Sequence, residues 1–258
     1  MSPEPICVFC ASSPGTSPVY EAAARSVGEA IAKSGRKLVY GGGVRGMMGF
    51  VSDAALQAGG LVHGIIPQAL TGRAAERAVR KLRSPTEAEA TPESGGGKEA
   101  EVEGSKEGTG EEVGTDARVS DRFTSEVVNT MHERKQRMAD LSQGGFIVLP
   151  GGFGTFEEVM EMTTWSQLRI HRLPVVVLNV NGFYTPLKQQ IELAVQEGFI
   201  APANMSLIEF VDLEARDDPM LDWGKRGMEA VERWSVDDSA GYQLSWSSEE
   251  GKPLGRKA

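Results

Sequence analysis

The sequence predicts an α/β fold: a Rossmann-like, doubly wound, mostly parallel sheet with helices on both faces, in a single domain. Three observations carry that expectation. Short apolar runs alternate with helix-spaced amphipathic stretches along most of the chain. The apolar runs carry no charge, as strands buried on both faces require. Two of them, residues 38–40 and 146–149, run into glycine loops that open helices. Both loops therefore fall at the carboxyl edge of the sheet, where open α/β folds bind ligands.

Taken in order, residues 6–10 (ICVFC) are the first strand. A small-residue loop, Ala11-Ser12-Ser13-Pro14-Gly15, follows. Ser17 and Pro18 are a cap and an N1 proline. Tyr20, Ala24, Val27 and Ile31 then recur at helical spacing until Ser34-Gly35. Residues 38–40 are a second strand, and the loop at 41–49 (GGGVRGMMG) opens a second helix that ends at Gly59-Gly60. Residues 61–66 are a third strand, closed by Pro67. Residues 122–128 read as a short strand or a loop. Asn129 is the expected cap of a helix over MHERKQRMADLSQ. The strand at 146–149 leads through Pro150 and Gly151, Gly152 and Gly154 into a helix extending to about His171. Residues 174–179 are a buried strand, 184–197 an amphipathic helix, 207–211 a last strand and 220–234 a last helix.

At 258 residues the chain is long enough to bury a substantial core. The domain is expected over residues 1–235, with a polar tail at 236–258. An acidic insertion at about 84–118 interrupts it. That insertion holds ten acidic and three basic residues, seven of the nine net negative charges of the chain. It is poor in large apolar residues, too poor to offset the entropy of ordering. The remainder is nearly neutral, which argues against a nucleic-acid-binding surface. No apolar run reaches about 18 residues, so no membrane span is expected. The N-terminus enters a strand without the basic and apolar regions of a signal peptide. Cys7 and Cys10 lie three apart in a strand and so point to opposite faces, as buried thiols rather than a redox or zinc pair. A cytoplasmic location fits. His63, His132 and His171 lack metal-ligand spacing.

The residues that carry chemistry fall in three groups. The first is the two glycine loops, which with the Ser12-Ser13 loop suit a phosphate: bare N–H groups and the positive end of a helix dipole attract an anion. Neither loop contains the GK[ST] of a nucleotide-triphosphate loop. The second group is Arg134 and Lys135, near a helix start. Cations there oppose the dipole, unless they meet an anionic ligand. The third is Glu157 and Glu158. They project about 100° apart on a helix, so only one faces a given site squarely. Dipole stabilisation, about 0.3–1 kcal/mol each, is the simplest account of them. A carboxylate beside a phosphosugar is also what N-glycoside cleavage needs, since it stabilises an oxocarbenium-like state and orients water.

PGGFGTFEE (150–158), with MHERK (131–135) upstream, resembles the motifs of the LOG (Lonely guy) family, the cytokinin riboside 5'-monophosphate phosphoribohydrolases. VFCASSPG, YGGGVRGMMG and GIIPQAL match further segments in the expected order, and the likeness covers roughly residues 5–80 and 120–210. The resemblance implies hydrolysis of a nucleoside 5'-monophosphate to free base and ribose 5-phosphate, with N6-prenylated AMP, and often AMP, as substrate. It places the catalytic arginine and glutamate on Arg134 and Glu158. It places nucleotide contacts on Lys135, Gly152, Phe153, Gly154, Thr155, Glu157 and Thr164. It implies a homodimer or higher homo-oligomer with the site close to the subunit interface, and no metal or organic cofactor. Many members carry a lysine decarboxylase label, for which this sequence offers no pyridoxal phosphate lysine context. Departures are Ala11 for a glycine, Arg45 within the second glycine loop, and one extra residue between Met138 and Phe146. The acidic insertion replaces a short connection that often contributes a glutamate. Glu76 is the candidate for that role.

The expected mechanism has the glycine loops (Gly42, Gly43, Gly152 to Thr155) and Ser13 hold the phosphate. Arg134 fixes the phosphoribosyl part, and Glu158 supports the oxocarbenium ion and the attack of water. Two rivals remain open on the residues: a nucleotide-binding module without catalysis, and a nucleoside deoxyribosyltransferase-like enzyme.

Overall fold

The computed structural model describes residues 3–71, 121–212, 222–242 and 244. Glu76 and the acidic stretch at 84–118 lie outside the described residues. Seven strands form one sheet: β1 (Ile6–Phe9), β2 (Leu38–Tyr40), β3 (Val62–Pro67), β4 (Phe123–Val128), β5 (Phe146–Val148), β6 (Val175–Leu178) and β7 (Glu209–Val211). Their order is β4-β3-β2-β1-β5-β6-β7, and every pairing is parallel. The chain builds outward from β1 to one edge, then returns beside β1 and builds to the other. The switch point lies between β1 and β5, where such sheets leave a crevice beyond the strand ends.

The described α-helices are α1 (Pro18–Lys33), α2 (Gly46–Gln57), α3 (Met131–Leu141), α4 (Phe153–Gln167), α5 (Thr185–Gln196) and α6 (Trp223–Arg233); the first five lie between strands and α6 follows β7. Alternate strand residues feed two cores, one on each face. Ile6, Val8, Leu38, Tyr40, Ile147 and Val176 pack against apolar residues of α1, α2 and α6. Cys7, Phe9, Val39, Phe146, Val148 and Val177 pack against those of α3, α4 and α5. Each fully buried valine or isoleucine stabilises this arrangement by roughly 1.5–3 kcal/mol. Cys7 and Cys10 are free, buried and on opposite faces, as strand geometry demands.

Helix ends follow local chemistry. The Ser17 hydroxyl accepts from the Val19 N–H at 3.4 Å, with Pro18 at the first helical position. Asp222 caps α6 by accepting from the Lys225 N–H at 2.9 Å, and the Ser26 hydroxyl of α1 donates to the same carboxylate at 2.9 Å. Two expectations need correction, the cap of α3 and the end of α4. The cap of α3 is Thr130, not Asn129: its hydroxyl accepts from the Glu133 N–H at 3.0 Å, and Glu133 accepts from the Asn129 N–H at 2.9 Å. Of the two readings of residues 122–128, strand or loop, the strand holds: Phe123–Val128 pair along all six residues with β3. Helix α4 stops at Gln167, short of His171, because Arg169 turns left-handed at φ 59°. The described residues just beyond α6 reach the end of α4. The Tyr242 N–H donates to Gln167 O at 2.7 Å, and Ala240 is buried.

Candidate active site

Three loops interlock at the carboxyl edge of the sheet. The Ala11 N–H, just past β1, donates to Pro150 O at 3.1 Å, joining the loops after β1 and β5. The Met47 and Met48 N–H groups, in the first turn of α2, donate to Ser13 O at 3.3 Å and Ala11 O at 3.2 Å. The dipole end of α2 is thus closed by carbonyls of the protein itself. Gly46 makes that approach possible: its φ is 56°, and a Cβ there would collide with the backbone of Ser12 and Ser13.

The start of α4 is different. Gly152 caps it without a side chain. Among the described residues, no acceptor meets the first-turn N–H groups of Phe153, Gly154 and Thr155. A Cβ at Gly152 or Gly154 would meet no atom within 4 Å, so the space in front of this helix end is open. Phe153 is 92% exposed, whereas Thr155 is buried with its side chain laid over Gly151. The Tyr184 hydroxyl donates to Leu149 O at 2.9 Å and steadies the loop from below. An open helix start with bare amides is a ready anion site.

Arg134 and Glu158 meet beside this opening. Arg134 lies in the first turn of α3, and its Nη1 donates to Glu158 Oε1 at 3.2 Å. Its Nε donates to Ile65 O at 3.1 Å, which fixes the plane of the guanidinium. The same guanidinium lies against Gly41, where any Cβ would collide with it. Both side chains are nearly enclosed, at 12% and 10% exposure. Burial raises the Glu158 carboxyl above its ordinary value; Arg134 opposes the rise, Glu157 adds to it, and the result is about 7. Glu158 is therefore poised to exchange a proton near neutrality, as a general base should be. Its charge is felt beneath it: burial first, then Glu158, pushes the Cys7 and Cys10 thiols up, so both stay protonated.

The other expected residues are distributed less simply. Lys135 does not face open space. Its ammonium pairs with Glu157 and lies 3.1 Å from both oxygens of Glu161. Burial would lower the Lys135 ammonium, but these carboxylates outweigh it and hold its pKa above the ordinary lysine value. Glu157 is half exposed, and 52% of its side chain faces solvent. Thr164 lies nine residues beyond Thr155, roughly 13 Å along the helix, and its hydroxyl donates to Met160 O at 2.7 Å. Gly42 (φ 74°) lies against Ile66 and Gly43 against Met48, so both accommodate protein atoms. Ser13 is exposed and contributes its carbonyl to α2. Glu161 escaped the sequence reading, although its spacing of four from Glu157 places both on one helix face. His171 is buried, accepts from the Leu173 N–H at 3.2 Å and is held neutral by burial, which lowers its pKa to about 4. Among the described residues, no cluster of three His, Cys, Asp or Glu side chains could hold a metal. No described helix is long and apolar enough to cross a membrane.

Comparison with known proteins identifies the family. Residues 48–216 match a family model described as possible lysine decarboxylase, and residues 5–89 match the SLOG cluster4 family. Cytokinin riboside 5'-monophosphate phosphoribohydrolase LOG of rice is 40% identical over 196 residues, 76% of this chain and 63% of the rice protein. LOG7 of Arabidopsis thaliana, of the same activity by name, is 39% identical over 79% of this chain and 74% of its own length. The like-named enzyme of Rhodococcoides fascians is 38% identical over 80% of this chain and 83% of its own. The chain thus spans less than two thirds of the rice relative. Among solved structures, the molybdenum cofactor carrier protein of Chlamydomonas reinhardtii shares the fold, with a TM-score of 0.50 at 18% identity over 90% of this chain and 98% of that one.

Proposed function

The chain belongs to the LOG family, and on that premise we propose that it hydrolyses the N-glycosidic bond of nucleoside 5'-monophosphates, N6-substituted AMP and AMP itself. The observation that carries the reading is the Arg134–Glu158 pair at 3.2 Å beside the open start of α4. The 5'-phosphate accepts from the bare amides of residues 153–155. Glu158 follows Gly152 by six residues, roughly 9 Å along the helix, a span suited to a phosphate followed by its ribose. Arg134 orients the phosphoribosyl group through a guanidinium already fixed by Ile65 and Gly41.

In the reaction the C1'–N bond to the base breaks as water bonds to C1'. The ionised Glu158 stabilises the developing oxocarbenium charge and takes the water's proton. A proton returns to the departing base, so one water is consumed per turnover. A lysine held charged by two carboxylates is unsuited to the Schiff base that a decarboxylase of the pyridoxal type needs. The family resemblance also implies at least a homodimer. Phe153, Phe156 and Met160 of α4 are exposed and apolar, which supports such an interface.

The test is direct. The purified protein is incubated with AMP, N6-isopentenyl-AMP and adenosine, and free base is followed by chromatography. Base release from the monophosphates, at least about 10²-fold faster than from adenosine, is expected from several charge-assisted hydrogen bonds to phosphate. Equal rates would favour a deoxyribosyltransferase-like enzyme, and binding without release a nucleotide-binding module.

A further inference from the structure

Lys135 and Glu161 form a second, separate charge pairing next to the first. On α3, Arg134 and Lys135 are adjacent and so project about 100° apart. On α4, Glu157 and Glu161 lie one turn apart on one face, and Glu158 lies about 100° from Glu157. The two helices therefore match side by side: Arg134 with Glu158, Lys135 with Glu157 and Glu161. The carboxylates of the second pairing are not equal. Glu157 is half exposed, so solvent screens it, whereas the Glu161 side chain is only 20% exposed and offers both oxygens at 3.1 Å. A lysine has a flexible stem and could otherwise turn toward the neighbouring carboxylate.

We propose that Glu161 is a positioning residue: it holds the Lys135 ammonium away from Glu158, so that Glu158 keeps Arg134 as its ion-pair partner. This rests on the hydrolytic reading above and deepens it. The groups electrostatically coupled to Glu158 are Arg134 and Lys135 from α3, Glu157 from its own helix, Cys7 within β1, Cys10 just past β1 on the other face of the sheet, and Tyr184 at the start of α5. Burial pushes the thiols and the Tyr184 phenol up, so these three stay neutral through the working range. Only the two cations and Glu157 act on Glu158 as charges there, and Glu161 governs where one of those cations sits.

The experiment compares wild type, Glu161→Gln, Lys135→Gln and the double variant. Two readouts are taken: the acid limb of kcat/KM against pH with AMP, and the carboxyl titration of Glu158 by 13C NMR. In Glu161→Gln a negative charge is lost and the ammonium is released toward Glu158, so both readouts shift to lower pH, by about half a unit or more. In Lys135→Gln a cation is lost and both shift to higher pH. The double variant falls between them. General damage to the site would not move the two single variants in opposite directions. Shifts below about 0.2 units in Glu161→Gln, or shifts upward, overturn the proposal. If the wild type releases no base from any monophosphate, the hydrolytic reading fails alone. The NMR titration then still decides whether Glu161 places Lys135.

Discussion

The two glycine loops look alike in sequence and differ in what their glycines accommodate. In the loop that opens α2, glycines make room for the protein: Gly46 for the backbone of Ser12 and Ser13, Gly41 for the Arg134 guanidinium, Gly43 for Met48. The helix end there is closed by Ser13 O and Ala11 O. In the loop that opens α4, Gly152 and Gly154 face empty space and the helix end has no cap. One loop is a joint and the other a receptor. A glycine-rich turn after a buried strand is thus an ambiguous sign until its neighbours are known, and the missing Cβ serves opposite purposes in the two places.

The largest expected effect lies at the receptor side. Glu158→Gln keeps the shape of the side chain and removes the base. Turnover of AMP should fall by about 10²–10⁴-fold, while AMP affinity measured by calorimetry stays within about threefold. Turnover near wild type would mean that Glu158 does not act on the glycosidic bond. The next contrast sets the loops against each other. Gly46→Ala forces a Cβ into backbone at a positive φ, and should cost at least about 2 kcal/mol in chemical denaturation. Gly154→Ala has the opposite sign for stability, since alanine replaces glycine in an exposed helical turn and should add about 0.5–1 kcal/mol. The same substitution fills ligand space and should weaken AMP binding about tenfold. If Gly154→Ala destabilises, or leaves AMP binding untouched, the division between the loops is wrong.

Much of this division was not legible in the chain. The stretch from Phe146 to Glu158 announced a buried strand, a bare turn and a helix start, because each feature is local. The doubly wound sheet followed from uncharged apolar runs, and the structure bears it out. The closing of α2 by the Ser13 carbonyl is tertiary: residues 13 and 47 meet only after β1 and β2 have paired. The role of Lys135 was open for the same reason, since its partner Glu161 lies 26 residues away. The Thr130 cap is legible, because T-x-x-E at the start of a helix is a capping-box spacing. The end of α4 is not legible, because nothing in Leu168-Arg169-Ile170 marks Arg169 as left-handed.

Smaller effects sharpen the account. With Glu158 raised to about 7, kcat/KM for AMP should be low when this carboxyl is protonated and rise as pH passes through about 7. In Arg134→Gln the main opposition to burial is lost, leaving only Lys135, and the limb should move to higher pH. Thr130→Ala removes the cap beneath Arg134 and should cost about 1 kcal/mol.

The difference between the two helix ends can be observed without turnover. In the 15N-labelled protein with Glu158→Gln, AMP should shift the amide signals of Phe153, Gly154 and Thr155 strongly, and adenosine should leave them nearly unmoved. The Met47 and Met48 amides, already bonded to Ser13 and Ala11, should stay in place with either ligand. Strong AMP-dependent shifts at Met47 and Met48, with none at residues 153–155, would contradict the account.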